Sequence, residues 1–525
     1  MKLKIFLSLI IAFLISENSY SQFSPSSFYL SWNKSARKEL STAPANNSIT
    51  DLVVVGDTVW AATGQGLSMT TDGGNNWTNF TNNQIFGTES ISAIGYYKGA
   101  LWVATAHDTN TGAEGILPKG SGLKFTVDGG KNWTSVPQPL DNLNDTIVTY
   151  GINNLRSNPI TVAINNLAYD IAFTPNTIWI ATFAGGLRKS TDMGKTWQRV
   201  VLPPDNLDSI KPSDTLDFCL QPVAGKVCSQ DNLNYRVFSV IATNDSTLYV
   251  GTADGINKST DGGVSWTKFT HTNQSNPISG NFIVALGYNN FDNSIWAASW
   301  RAEGTNEFYG VSYSVDGGAN WQTSLSGEKV HNFGFNNNQV IAPSDDGAFR
   351  TSDQGTNWIL PTNVKDPSSG LSIQTTIYYA AAFQGSTVWL GSDDGLARID
   401  ETGGMWQGNW KVYFASQPLV SKSDSYAFPN PFNPNTDILK IKYNPNGNNV
   451  PVTIRILNFD MHIVRTIIQN APRGVQVRTL DNSGDVIDYW DGKDERGNVV
   501  PNGVYFYRVD AGSQNPVFGK ILVLH

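Results

Sequence analysis

The side chains best suited to chemistry in this 525-residue chain are acidic and aromatic groups carried by a few long insertions. The carboxylates are Asp108, Glu114, Asp208, Asp214, Glu303 and Glu307. Two such groups flanking a sugar ring at suitable separation hydrolyse a glycosidic bond, but sequence spacing alone does not pair any two of them. Trp300, Arg301, Glu303, Phe308 and Tyr309 are the best candidates for recognition. Aromatic faces stack on sugars or peptides, and a guanidinium offers bidentate hydrogen bonds. His107 stands alone in an insertion, which suits a solvated side chain. No phosphate loop, zinc-ligand spacing or nucleophile elbow stands out. No catalytic residue, metal or cofactor is therefore assigned, and the chain reads as a binder rather than an enzyme. Cys219 and Cys228 lie in one loop and can close a small disulfide, whereas two cysteines cannot build a Cys-rich zinc site.

Composition narrows the partners. The formal net charge is −8 and there is no basic cluster, which disfavours nucleic acid, whose phosphates must be neutralised by Lys and Arg. Lys2 and Lys4, the apolar run from Ile5 to Ile15, and Ser19-Tyr20-Ser21 before Gln22 read as a cleaved signal peptide over residues 1–21. The chain is then expected outside the cytoplasm, secreted or on the outer cell surface, with no transmembrane span once mature. That compartment favours a Cys219–Cys228 disulfide over free thiols.

The elements that would position these groups are written as a repeat. Gly (48), Trp (16), Tyr (19) and Phe (25) are abundant and helix signals are scarce, the mix of short strands joined by tight turns. A strand of recurring type appears seven times: VWAAT at 59, LWVAT at 101, IWIAT at 178, LYVGT at 248, IWAAS at 295, VIAPS at 340 and VWLGS at 388. A glycine then opens a third strand, and a fourth short strand follows a tight turn. Seven four-stranded sheets cannot each bury two faces alone, so a radial arrangement, a seven-bladed β-propeller, is expected over residues 49–415. A solenoid would need more uniform repeats.

The tight turn places Ser or Thr, then Asp, Gly and Trp at fixed offsets. The aspartates and tryptophans are Asp72 and Trp77, Asp128 and Trp133, Asp192 and Trp197, Asp261 and Trp266, Asp316 and Trp321, and Asp353 and Trp358. A further copy near Asp400, Gly403 and Trp406 is one residue out of register. A short Asp side chain can accept backbone N–H groups of its own turn, Gly permits positive φ, and Trp buries a large face while its N–H finds a partner. These turns resemble the Asp-box, or BNR repeat, of sialidase-type propellers, and the resemblance implies a structural role for them.

Strand direction sorts the loops. Turns between strands three and four lie on one face. Loops between strands two and three, and between blades, lie on the other. The insertions His107–Lys119, Asn142–Asn166, Pro203–Asn234 and Trp300–Phe308 therefore share the face opposite the Asp-box turns, where binding to protein or polysaccharide is expected.

After the propeller, residues 416–427 read as a linker, and residues 428–525 as a small β-sandwich of alternating strands. PNPFNP from Pro429, WDGKDERGN from Trp490, PNGVYFYRV from Pro501 and the terminal KILVL resemble the C-terminal sorting domain of type IX secretion cargo, an immunoglobulin-like fold shared with the flagellar hook-capping protein. The resemblance implies engagement of type IX-like secretion machinery. Residues 22–48 read as an N-terminal arm.

The sialidase resemblance also poses an enzyme as the alternative, a surface glycoside hydrolase. That chemistry implies an arginine triad and a Tyr–Glu pair. Arg37 does not stand in a matching strand, and Arg188, Arg350 and Arg398 recur beside the turns as repeat positions do. Tyr378 and Tyr379 read as packing residues of the last inner strand. The propeller assembly factor of photosystem II shares the architecture, but an exported sorting tail argues against that role.

Overall fold

The computed structural model describes residues 41–525 except 113, 224, 226, 301–305, 370, 417, 418, 420, 422 and 475–483. The expected signal peptide over 1–21 and most of the expected arm over 22–48 lie outside the described residues. Between residues 49 and 413 the chain forms seven antiparallel sheets of three to five strands, in sequence order from the innermost strand outward in six of them. The fourth sheet adds Ser209–Ile210 outside Trp266–Phe269. The sixth has three strands, Gly334–Asn336, Gln339–Ser344 and Gly347–Thr351, with the fourth reduced to an Arg350–Ile359 bridge. Each innermost strand packs on the next, and Tyr378–Gln384 of the seventh sheet packs on Ile49–Val55 of the first. The seven sheets are thus blades of a closed ring. One 3₁₀ turn, Leu233–Tyr235, is the only helical element among the described residues, and no described helix is long and apolar enough to cross a membrane.

The second strand of each blade is apolar on both sides because both sides are covered. Thr58–Thr63 and Thr177–Thr182 are buried from their second residue onward, the signature of a strand enclosed by neighbours rather than half-exposed. The aromatic residue of this strand supports the next blade's turn. The turn tryptophan stands edge-on to it: Trp133 on Trp60 (6.3 Å between ring centroids), Trp358 on Trp296 (6.2 Å) and Trp77 on Trp389 (6.1 Å). The turn glycine comes equally close. A Cβ at Gly263, whose φ is +80°, would lie 2.6 Å from the Trp179 ring.

The turn is built identically in six blades. The Ser or Thr hydroxyl donates to Asp Oδ1 at 2.8–2.9 Å and accepts the glycine N–H at 2.8–3.0 Å. Asp Oδ1 also accepts the N–H of the residue four positions on, at 2.9 Å. Backbone donation from Asn132 and Asn357 chiefly holds Asp128 and Asp353 at a pKa of about 2, and side-chain donation from Thr196 and Asn320 chiefly does the same for Asp192 and Asp316. In Asp72 and Asp261 burial opposes the shift, but the donors outweigh it and the pKa is lowered.

One expectation needs correction. The tryptophan N–H finds a partner at Trp197 and Trp358, donating to Gly194 O at 3.1 Å and Gly355 O at 3.0 Å. In Trp77, Trp133, Trp266 and Trp321 it is buried without one among the described residues, because the ring position is dictated by the neighbouring blade. In the seventh blade Asp400 is gripped instead by the Arg398 guanidinium at 2.6 Å and by the Thr387 hydroxyl at 2.8 Å.

Ring closure does not mix strands from the two ends. Asn47 accepts Gly395 N–H on its carbonyl and Ala415 N–H on Oδ1, both at 2.7 Å. Trp77, Trp389, Tyr413 and Ile49 fill the seam. The C-terminal sandwich begins at Ser425, three residues before the expected boundary, since Ser425–Phe428 already pairs with Leu439–Tyr443. One sheet has three strands and the other four. They enclose Phe432, Tyr443, Ile454, Trp490 and Tyr507. The sandwich rests on the last blades: buried Lys440 pairs with Asp394, and Ser372 N–H donates to Tyr489 Oη at 3.1 Å.

A carboxylate whose folded pKa is depressed contributes stability above its unfolded pKa of about 4, and that contribution is lost as pH falls through about 2. Urea midpoints should therefore drop between those values, and Asp192→Asn should flatten the drop; an unchanged slope would refute the role given to the turn. Gly263→Ala meets both positive φ and the Trp179 ring, so it should destabilise by about 2 kcal/mol or more, with a neutral midpoint counting against the close contact.

Candidate functional site: the insertion face and the central channel

The insertions are buttressed structures. In the second blade, strands two and three run on as Ala100–Asn110 and Ile116–Thr126, paired to Asn110↔Ile116. The His107–Lys119 insertion is therefore a projecting hairpin. His107 is not simply solvated: its Nδ1 lies 2.9 Å from Glu89 Oε2, which accepts the Ser121 hydroxyl at 2.6 Å. The next insertion folds as the hairpin Ile147–Tyr150 and Asn153–Ser157, and Cys219–Leu220 joins it in parallel. Cys219 and Cys228 form a disulfide with Cα atoms 6.3 Å apart. Asp141 ties this layer to the third blade by accepting Arg188 at 2.9 and 3.0 Å and pairing with Arg199. Burial opposes ionisation of Asp141, but the two guanidiniums prevail and hold its pKa at about 2.

The other arginines beside the turns are likewise committed. Arg350 grips Glu401 at 2.5 and 2.9 Å, and Arg398 grips Asp400. None of these three is left to form a carboxylate-binding triad.

The expected recognition cluster is only partly open. Trp300 is 4% exposed and its Nε1 donates to Val330 O at 3.2 Å. It packs between the fifth and sixth blades rather than offering a stacking face. Phe308 and Tyr309 are half-buried, with the Lys329 ammonium 5.4 Å from the Tyr309 ring. Arg301 and Glu303 lie outside the described residues. Tyr378 is buried in the core of the seventh blade, as its packing role requires, whereas Tyr379 faces the centre of the ring.

That centre is a channel of about 610 Å³. It is shaped by a recurring irregularity. In six blades the innermost strand carries one extra residue near the insertion face: Thr50, Ser92, Tyr169, Phe238, Val284 and Tyr379. Such a bulge re-aims side chains that a regular strand would alternate. In the sixth blade His331 and Asn332 stand in the corresponding place, after the Val330↔Ser344 bridge. All of these line the channel.

Two consequences follow. First, aromatic rings form a continuous arc at the insertion-face mouth. Tyr169 meets Phe238 at 5.4 Å, Phe238 meets Phe282 at 4.8 Å, Phe282 meets Trp300 at 6.3 Å, Trp300 meets His331 at 5.8 Å and His331 meets Tyr379 at 5.1 Å. Second, the residue after the bulge brings polar groups to one level. Asp51 Oδ1 accepts Leu52 N–H at 2.8 Å and Asn332 Nδ2 at 2.9 Å. Asp170 accepts Ile171 N–H (2.8 Å), the Ser239 hydroxyl (2.7 Å) and Val240 N–H (2.9 Å). Both carboxylates keep some surface toward the channel, but the encircling blades exclude bulk water. Burial therefore pushes the Asp51 pKa up to about 7, assisted by the charge of Asp170 and opposed by its donors, and burial likewise raises Asp170.

Sequence reasoning passed over Asp51, Asp170, Asn332 and His331. A signal existed: Asp51-Leu52, Asp170-Ile171 and Asn332-Phe333 repeat one polar–apolar step in three inner strands. Among the described residues, no three His, Cys, Asp or Glu side chains are grouped to hold a metal ion.

The sequence matches no protein-family model and no curated protein. Among solved structures it is similar to an ancestral GH74 enzyme, at 14% identity and TM-score 0.50, covering 93% of this chain and 64% of that one. It is also similar to the GH74 enzyme of Niastella koreensis, at 15% identity and TM-score 0.48, covering 91% and 73%. A third is PorZ of Porphyromonas gingivalis, described as an essential bacterial surface component of the type-IX secretion system, at 14% identity and TM-score 0.40, covering 91% and 66%. The chain thus spans just under two thirds of the length of PorZ and of the ancestral enzyme. At these identities the likeness concerns fold, and the chain is an all-β protein built on a β-propeller.

Asp51 binds its proton more tightly when folded, so its contribution to stability falls as pH rises from about 4 to about 7. Asn at this position can still accept both hydrogen bonds. Asp51→Asn should raise stability by about 1–3 kcal/mol at pH 8 and leave it unchanged near pH 4, and urea melts at the two values decide it. A variant less stable than the parent at pH 8 would show that the carboxylate is not held at a cost.

Proposed function

We propose that this chain is an exported, secreted or cell-surface propeller that binds protein or glycan on its insertion face without turning it over. Its C-terminal sandwich serves secretion and anchoring. The observation that carries the reading is the arc of aromatic rings round the channel mouth, set on a face whose insertions are locked by a disulfide and the Asp141 clamp. Rigid aromatic surface recognises sugars and peptides at low entropic cost. The signal-like N-terminus supports export. The sorting-domain words, carried on a seven-stranded sandwich, support delivery by type IX-like machinery.

Two measurements test this. The full chain should capture specific glycans on an array, or a surface protein, and Phe238→Ala with Tyr379→Ala should reduce capture by about tenfold or more while the thermal midpoint reports folding. Release of free sugar from a bound glycan would replace this reading with a glycoside hydrolase. Expressed in a type IX-secreting bacterium, the chain should reach the cell surface, whereas a chain ending before Ser425 should remain inside as a protease-resistant propeller. Surface delivery of the shortened chain would end the sorting assignment.

A further inference from the structure

We infer that the channel beneath the aromatic arc is a receptor for a primary ammonium group, supplied by a lysine side chain of a bound protein or by a free polyamine. The inference rests on the insertion face being the binding face, and it names the chemistry recognised at its centre.

The channel collects acceptors and lacks donors of charge. Asp51 and Asp170 occupy the same position after the bulge in the first and third blades, and no Lys or Arg is among the described residues lining the cavity. Among the described residues, both donors to Asp51 reach Oδ1 and none reaches Oδ2. His331 adds a third acceptor. Its Nε2 lies 2.7 Å from Asp345 Oδ1, which can only accept when ionised, so Nε2 carries the proton. In the neutral form of the ring Nδ1 then holds a lone pair. It has no partner among the described residues, and the side chain is 6% exposed and lines the same cavity. A buried acceptor left unfilled is costly, and a ligand with several N–H donors removes that cost.

The arrangement selects among cations. A guanidinium binds a carboxylate best through both oxygens at once, but Asp51 Oδ1 and both oxygens of Asp170 already hold protein donors. A divalent metal ion asks for six or more oxygen ligands, and no three-ligand group is present among the described residues. A compact ammonium with three divergent donors suits single, separated acceptors. The rings of Tyr169, Phe238 and Tyr379 above it provide the negative π-faces that favour a desolvated cation. About 610 Å³ accommodates a lysyl side chain or an alkyl diamine.

The test is calorimetric titration of the full chain at pH 8 with cadaverine, with an Nα-acetyl-lysine peptide amide, and with the same peptide acetylated on Nε. The inference expects an amine to bind with Kd below about 1 mM and the Nε-acetylated peptide not to bind. Asp51→Asn and Asp170→Asn should each weaken binding roughly tenfold or more. Should Asp170→Asn unfold, Asp51→Asn keeps the test, since its hydrogen bonds can persist. Tighter binding of the peptide identifies a protein-borne lysine, and tighter binding of cadaverine a free polyamine. No binding of either amine, equal binding of the acetylated peptide, or binding unchanged in Asp51→Asn would overturn the inference. Amine failure with glycan or protein capture intact would defeat this inference alone, whereas loss of both would defeat the binding face itself.

Discussion

The contact on which the ring depends is that between an aromatic residue of one blade's second strand and the Gly–Trp turn of the next. Trp60, Trp102, Trp179 and Trp389 stand against Gly130, Gly194, Gly263 and Gly74 so closely that a Cβ there would meet the ring or its neighbours. No blade can bury both faces alone, so stability resides in these seams. Their geometry requires glycine for two reasons together, positive φ and the lack of a side chain. The Ser/Thr-Asp-Gly-Trp turn is the device that presents this glycine and its tryptophan. The aspartate satisfies the turn's N–H groups and its hydroxyl donor, and this network holds the turn in the shape the seam demands.

This separates architecture from chemistry on the molecule. The exposed aspartates of the turns are saturated with hydrogen bonds, held ionised, and repeated round the rim. Asp51 and Asp170 in the channel are their opposite, enclosed and held at a raised proton affinity. The same repeat supports both, because the outer turn satisfies blade-to-blade packing while the inner bulge is free to vary. Thr50, Ser92, Tyr169, Phe238, Val284 and Tyr379 share one backbone irregularity and differ in side chain.

The insertion face gains rigidity from charge pairs that are buried rather than exposed. Arg188 and Arg199 pair with Asp141 beneath the third-blade insertion, whereas Arg350 bridges to Glu401 of the last blade beside the turns of the opposite face. Such pairs give register rather than large net stability. Lys440 and Asp394 do the same where the sandwich meets the propeller, so the tail is seated and not merely tethered.

The all-β class and the recurring blade are legible in the residues alone. Strand two, the opening glycine and the six turns are local patterns, and each is dictated by its own residues. The tail's motifs read apart from the repeats, but Ser425, there part of the linker, pairs with Tyr443 in the structure. Tertiary structure decided what the side chains face. Trp300 looked like an exposed stacking residue, but closure of the fifth blade on the sixth buries it. Asp51 and Asn332 are far apart in the chain and meet only because the ring closes. A channel exists only once every blade is in place, so its lining is a property of the circle and not of any repeat.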